Sequence, residues 1–136
     1  MALYIRELNE TDYDNILVGW WEQWGWTAPQ RDFLPDNGKG GIIVYDDKTP
    51  VCAGFMYLTN SKVSWVDWII SNKEYTKKPD RQDAIKLLVS ALTEICNKSG
   101  SKYIYALIKN DSLIGTYEDL GYTKGDSYTS EMIKVL

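Results

Sequence analysis

The chain has 136 residues, 44% of them hydrophobic and 25% charged, an ordinary composition for one globular domain that buries a core without metal or disulfide support. A formal charge of -4, a pI near 4.8 and the lack of any long basic run argue against nucleic-acid binding and suit a cationic partner such as an amine. No apolar run approaches the roughly 18 residues of a membrane helix, and residues 1–10 show no secretion signal, so a single cytoplasmic domain over residues 1–136 is expected.

Residues 3–8 set apolar Leu3 and Ile5 against Tyr4 and Arg6, the alternation of a first strand. Thr11 followed by Asp14 resembles a capping box and predicts a helix through about residue 21. Trp20, Trp21, Trp24 and Trp26 crowd its end, and Gly25, Pro29 and Pro35 break the following stretch into short pieces. Segments 42–45, 51–58 and 63–70, separated by polar turns at 46–50 and 60–62, predict an antiparallel meander. The polar connection 71–79 reads either as a lid or as a surface loop. Asp80 is a plausible cap for a helix over 81–97, whose Ala84, Leu88, Ala91, Leu92 and Ile95 form one apolar face before Gly100 stops it. A buried strand at 103–108, a helix opened by Asn110 and stopped by Gly121, and a strand at 127–135 complete a mixed α/β sheet flanked by helices.

Histidine is absent, which removes the commonest metal ligand and the usual neutral-pH base. Any general base must then be a carboxylate, a tyrosine, a terminus or relayed water, and no metal site is expected. Cys52 and Cys96 are too few and too far apart for a metal knuckle or redox pair, and read as buried thiols.

The stretch Asn110-Asp111-Ser112-Leu113-Ile114-Gly115-Thr116-Tyr117-Glu118-Asp119-Leu120-Gly121-Tyr122 resembles the C-terminal signature of the GNAT superfamily of N-acetyltransferases. In that signature an Asn, and a Tyr seven residues later, sit beside acetyl-coenzyme A; Asn110 and Tyr117 match them. The order of elements resembles the same superfamily over nearly the whole length. The resemblance implies a splayed central sheet in which the strands at 63–70 and 103–108 part, acetyl-coenzyme A lying in the resulting V.

From this likeness Tyr117 is the candidate general acid. A phenol with a pKa near 10 keeps its proton beside a thiol near 8.5. Asn110 is either a cofactor contact or an ordinary helix cap. The superfamily's phosphate loop begins Arg/Gln-x-x-Gly-x-Gly/Ala; here it aligns with Arg81, Gln82, Asp83, Ala84, Ile85 and Lys86, where Ala84 and Lys86 depart from the pattern and Asp83 opposes phosphate. Lys77 and Lys78 could add compensating charge. Asp67 is the candidate base; strict alternation puts it with Val63, Trp65 and Ile69, opposite Ser64, Val66, Trp68 and Ile70. Backbone N–H groups at Ile69 and Ile70 are implied as pantetheine or oxyanion contacts. Trp20, Trp21, Trp24 and Trp26 fall where the superfamily shapes its acceptor pocket, with Trp21, Trp24 and Trp26 the candidate substrate contacts, although core packing or a protein interface is the simpler account of them.

Two functions follow. The first is N-acetylation, by direct attack, of an amine on a small molecule, peptide or protein. The second is a non-catalytic binding or regulatory protein on the same architecture. Neither reading requires nucleic acid or membrane, and homodimerisation stays open.

Overall fold

The computed structural model describes residues 2–136, apart from the Lys78 side chain. Its strands are β1 (Leu3–Glu7), β2 (Gly41–Asp46), β3 (Thr49–Leu58), β4 (Val63–Ser71) and β5 (Tyr103–Tyr105), and its α-helices are α1 (Val18–Gln23), α2 (Lys78–Lys98) and α3 (Asp111–Asp119). The strands form one open sheet in chain order. Pairs from β1 to β4 are antiparallel, β2–β3 and β3–β4 through short polar turns and β1–β2 across the helical segment 8–40, whereas β5 joins β4 in parallel after a crossover through α2.

Alternation along the strands divides the core into two layers. Ile42, Val44 and Val66 meet Leu88 and Leu92 of α2 and Tyr117 of α3 on one side. Ile43, Ala53, Phe55 and Ile70 meet Leu17, Trp20 and Trp21 on the other. Burial of each large apolar side chain contributes about 1.5–3 kcal/mol, so both helical layers are fastened mainly by these faces. Gly54 permits close approach of α2, because a Cβ there would lie 2.5 Å from Ile69 Cδ1 and 3.1 Å from Leu92 Cδ1.

Several expected boundaries move. A π-helical turn at Tyr13–Leu17 leads into α1 without a side-chain cap. Thr11 instead bonds to Asn9, while the buried Asp12 carboxylate accepts from Nη1 and Nη2 of Arg6 at 2.7 and 2.9 Å. α2 begins at Lys78, earlier than expected, with Pro79 in its first turn, where a missing N–H costs nothing. β5 stops at Tyr105, not at residue 108. No strand forms over 127–135, where Tyr128, Met132, Ile133 and Val135 are exposed. A ladder needs an edge to pair with, and β5, the edge strand on that side, is only three residues long. No described helix is long and apolar enough to cross a membrane.

Candidate active site

Pairing between β4 and β5 covers only Val63, Ser64 and Trp65 against Tyr103, Ile104 and Tyr105. β4 runs on to Ser71, so the sheet opens past Trp65. Opposite this opening the β3–β4 register shifts between Ala53 and Phe55, and Trp68 adopts φ 57°. For a bulky residue that conformation costs on the order of 1–3 kcal/mol and has to be held by its surroundings. The irregularity also resets the alternation. Asp67 lies opposite Phe55, yet Trp68 and Ile70 also pack on the Phe55 side, and Ile69 turns toward α2. The expected placement of Ile69 beside Asp67, with Trp68 opposed, is therefore corrected.

Asp67 reaches across the opening, its carboxylate accepting the Leu107 N–H at 3.2 Å. Burial pushes this carboxyl up to about 6, against the opposing pull of the Leu107 and Trp68 N–H groups. Tyr117, 2% exposed on α3, donates its hydroxyl to the Val66 carbonyl at 3.0 Å and meets Tyr122 edge-on at 4.9 Å. Burial, and secondarily the charge of Asp67, drives the phenol well above its usual range. One group thus keeps its proton throughout the physiological range, and the other loses its proton just below neutrality. Both adjoin the backbone of Val66. Asn110 caps α3 as the sequence suggested, its Oδ1 accepting the Leu113 N–H at 3.0 Å.

The expected phosphate loop has a different form. Because α2 already runs from Lys78, with the Arg81 N–H bonded to the Lys77 carbonyl at 2.9 Å, the N–H groups of Gln82, Ala84, Ile85 and Lys86 lie beyond the first helical turn. Only first-turn N–H groups are free of the helix ladder, so no backbone cradle forms at these four positions. Ala84 is fully buried in the core, and Lys86 Nζ pairs with Asp119 at 3.4 Å. Arg81 Nη2 donates to the carbonyls of Asn72 (2.9 Å), Lys73 (3.3 Å) and Tyr75, while Nε is buried without a partner among the described residues. The guanidinium therefore fastens the connection between β4 and α2. Tyr75 adds to this by donating to Asp46 at 2.7 Å, and the Asn72 N–H bonds to Val51 at 2.8 Å. That connection is anchored at both ends. Beside it lies a surface cavity of about 420 Å³, lined by Asp46, Thr49, Asn72, Tyr75 and Lys77, remote in its lining from Asp67 and Tyr117.

The tryptophans divide in an unexpected way. Trp21 is buried against Trp68, and Trp24 donates Nε1 to the Ser71 carbonyl at 2.8 Å while stacking on Trp26. Trp24 and Trp26 thus sit at the far end of β4. Around Asp67, strand pairing instead gathers Phe55, its direct partner, with Tyr57, Trp65, Trp68 and Tyr105 from three strands. Their separation in sequence hid this grouping; Tyr57 and Tyr105 could have been found only by aligning registers.

No protein-family sequence model matches the chain, and none of the curated proteins matches it in sequence. Solved structures do match in shape. The ribosomal-protein-S18-alanine N-acetyltransferase of Escherichia coli superposes with a TM-score of 0.72 at 14% identity, over 92% of this chain and 80% of that one. Glucosamine-6-phosphate N-acetyltransferase of Arabidopsis thaliana gives 0.68 at 12% identity, covering 98% and 100%. The acetyltransferase AAC(6')-Iy, in complex with a coenzyme A bisubstrate analogue, gives 0.70 at 14% identity, covering 99% and 100%. With these neighbours and its parted β4 and β5, the chain has the fold of the GNAT acetyltransferases.

Proposed function

We propose that this protein transfers an acetyl group from acetyl-coenzyme A to an amine at the opening between β4 and β5. The observation that carries the reading is the divergence of these strands directly beside a protonated phenol, Tyr117, and a carboxylate of raised pKa, Asp67. When bound, acetyl-coenzyme A supplies a thioester whose carbonyl carbon bonds to nitrogen as the C–S bond breaks, the electron pair leaving on sulfur. Asp67, ionised above about pH 6, receives the proton the amine loses. Tyr117 holds a proton for the departing sulfur, by turning its hydroxyl from the Val66 carbonyl. Backbone of β4 past Trp65, including Ile69 and Ile70, has no strand partner on the β5 side and can orient an extended arm there.

The fit to the cofactor is uneven. The opening suits the thiol-bearing arm, but Gln82, Ala84, Ile85 and Lys86 offer no free backbone N–H groups to a diphosphate. Grip on the phosphates would fall to exposed lysines near the start of α2, Lys73 and Lys77. That same observation favours a second reading, a non-catalytic binding protein on the acetyltransferase fold.

Calorimetric titration with coenzyme A, followed by thiol-release assays with acetyl-coenzyme A and an amine panel, separates the two. Micromolar binding with amine-dependent thiol release supports transfer. Absence of heat at millimolar coenzyme A leaves the binding-protein reading.

A further inference from the structure

Asp67 stands on a face of the sheet that gathers aromatic side chains, with the buried Phe55 directly opposite it on β3. Trp65 and Tyr105, its neighbours across the β4–β5 ladder, stack at 4.9 Å with planes 21° apart. Tyr57 lies opposite Trp65 on β3 and donates its hydroxyl to the Phe33 carbonyl at 3.0 Å. Phe33 in turn meets Trp68 edge-on at 5.8 Å. Phe33 is 48% exposed and Tyr105 53%, while Tyr57, Trp65 and Trp68 are half-buried, so the outer part of this apolar surface faces outward. Contiguous exposed apolar surface of this kind marks a contact site.

Charge selects the occupant. Strands β3, β4 and β5 together carry one charged residue, Asp67. A ligand cation paired with that carboxylate would have aromatic faces around it and no second carboxylate on these strands to satisfy another ammonium. Ring faces and edges disposed on both sides of Asp67 suit a flat apolar body.

We propose that this face is the acceptor site, and that it takes a monoamine borne on a planar aromatic or similarly flat apolar body, its ammonium on Asp67 and its body against Trp65, Tyr105, Tyr57 and Trp68. The proposal builds on the acetyl-transfer reading, and it names the class of amine. Trp21, Trp24 and Trp26 then shape the fold behind and beyond the site and do not form its walls. In the transfer step the ammonium gives one proton to Asp67, the neutral amine nitrogen forms the N–C bond as the C–S bond breaks with its electron pair on sulfur, sulfur takes the Tyr117 proton, and the second nitrogen proton, shed as the amide forms, restores the Tyr117 phenol.

The test is calorimetric binding to the full chain without coenzyme A, using phenethylamine, 2-phenylethanol and spermidine as probes. Phenethylamine should bind about tenfold or more tightly than either of the others, the gain expected from one ion pair or cation–π contact in a partly dry site. Tyr105→Ala should weaken phenethylamine about tenfold, and Asp67→Asn should weaken it while leaving 2-phenylethanol unchanged. Spermidine binding as tightly as phenethylamine, or phenethylamine indifferent to Tyr105→Ala, would overturn the proposal. So would a tenfold gain in phenethylamine affinity on truncation after Asp126, since the occupant would then be the chain's own exposed apolar segment. Because these measurements omit the cofactor, failure of coenzyme A to bind rejects transfer alone, whereas transfer that prefers spermidine rejects the amine class alone.

Discussion

Asp67→Asn offers a clean physical test of the site, because the stability of the fold and its chemistry pull in opposite directions there. Burial moves this carboxyl from an ordinary 3.8 to about 6. A rise of that size sets the folded state at a disadvantage of about 3 kcal/mol once the group is ionised, and partial solvent access lowers the figure to about 1–2 kcal/mol. The sign follows from the direction of the shift. Below about pH 4 the group is protonated in both folded and unfolded chains, and the disadvantage is absent. It grows as the unfolded carboxyl ionises first, between about pH 4 and 6, and is complete above pH 6. Asparagine keeps an oxygen to accept the Leu107 N–H and never ionises. Urea unfolding of parent and variant from pH 3 to 8 should show equal stability at pH 3 and a variant more stable by about 1–2 kcal/mol above pH 6. Asp46, held low chiefly by its Tyr75 hydrogen bond, is common to both proteins and cancels in the difference. Stability curves parallel across the whole range would refute the claim that Asp67 is ionised against its surroundings.

Tyr117→Phe should lower acetyl transfer by roughly a hundredfold, within the range of general acid catalysis, and leave coenzyme A affinity within about twofold by calorimetry. Rate measurements on the parent should rise with pH through about 6 as Asp67 ionises, and this limb should vanish in Asp67→Asn. Arg81→Ala should destabilise the fold by about 1–3 kcal/mol in urea, because three loop carbonyls lose their donor. Gly54→Ala should cost about 1–3 kcal/mol, since the new methyl meets Ile69 and Leu92, and thermal melting would register it.

Much of the architecture was legible from periodicity. The meander of β2, β3 and β4, the apolar face of α2 and the capped helix carrying Tyr117 all follow from local patterns, which report directly on burial. Errors arose where tertiary pairing decides. Strict alternation could not anticipate the left-handed backbone at Trp68, which packs edge-on with Trp21 and Phe33 and so exchanges the faces of Trp68 and Ile69. Nor could a cap at Asp80 reveal that Lys78 and Pro79 extend α2 by nearly a turn and internalise the expected phosphate-binding N–H groups. Residues 127–135 show the converse: a strand expected there joins no ladder beside the three-residue β5, and its apolar side chains stay exposed. Of the candidate site, Asp67, Asn110 and Tyr117 could be singled out in the sequence one by one. The aromatic setting of Asp67 was not, because it is assembled across β3, β4 and β5 by register.

The central claim, that the parted strands receive the thiol-bearing arm of coenzyme A, is tested most directly by amide chemical-shift mapping during a coenzyme A titration. The account predicts saturable shifts concentrated at residues 66–71 and 105–107, with Tyr117 among the side chains perturbed. Saturating coenzyme A that shifts only amides around the cavity beside Asp46 and Tyr75, or millimolar coenzyme A that shifts none, would contradict it.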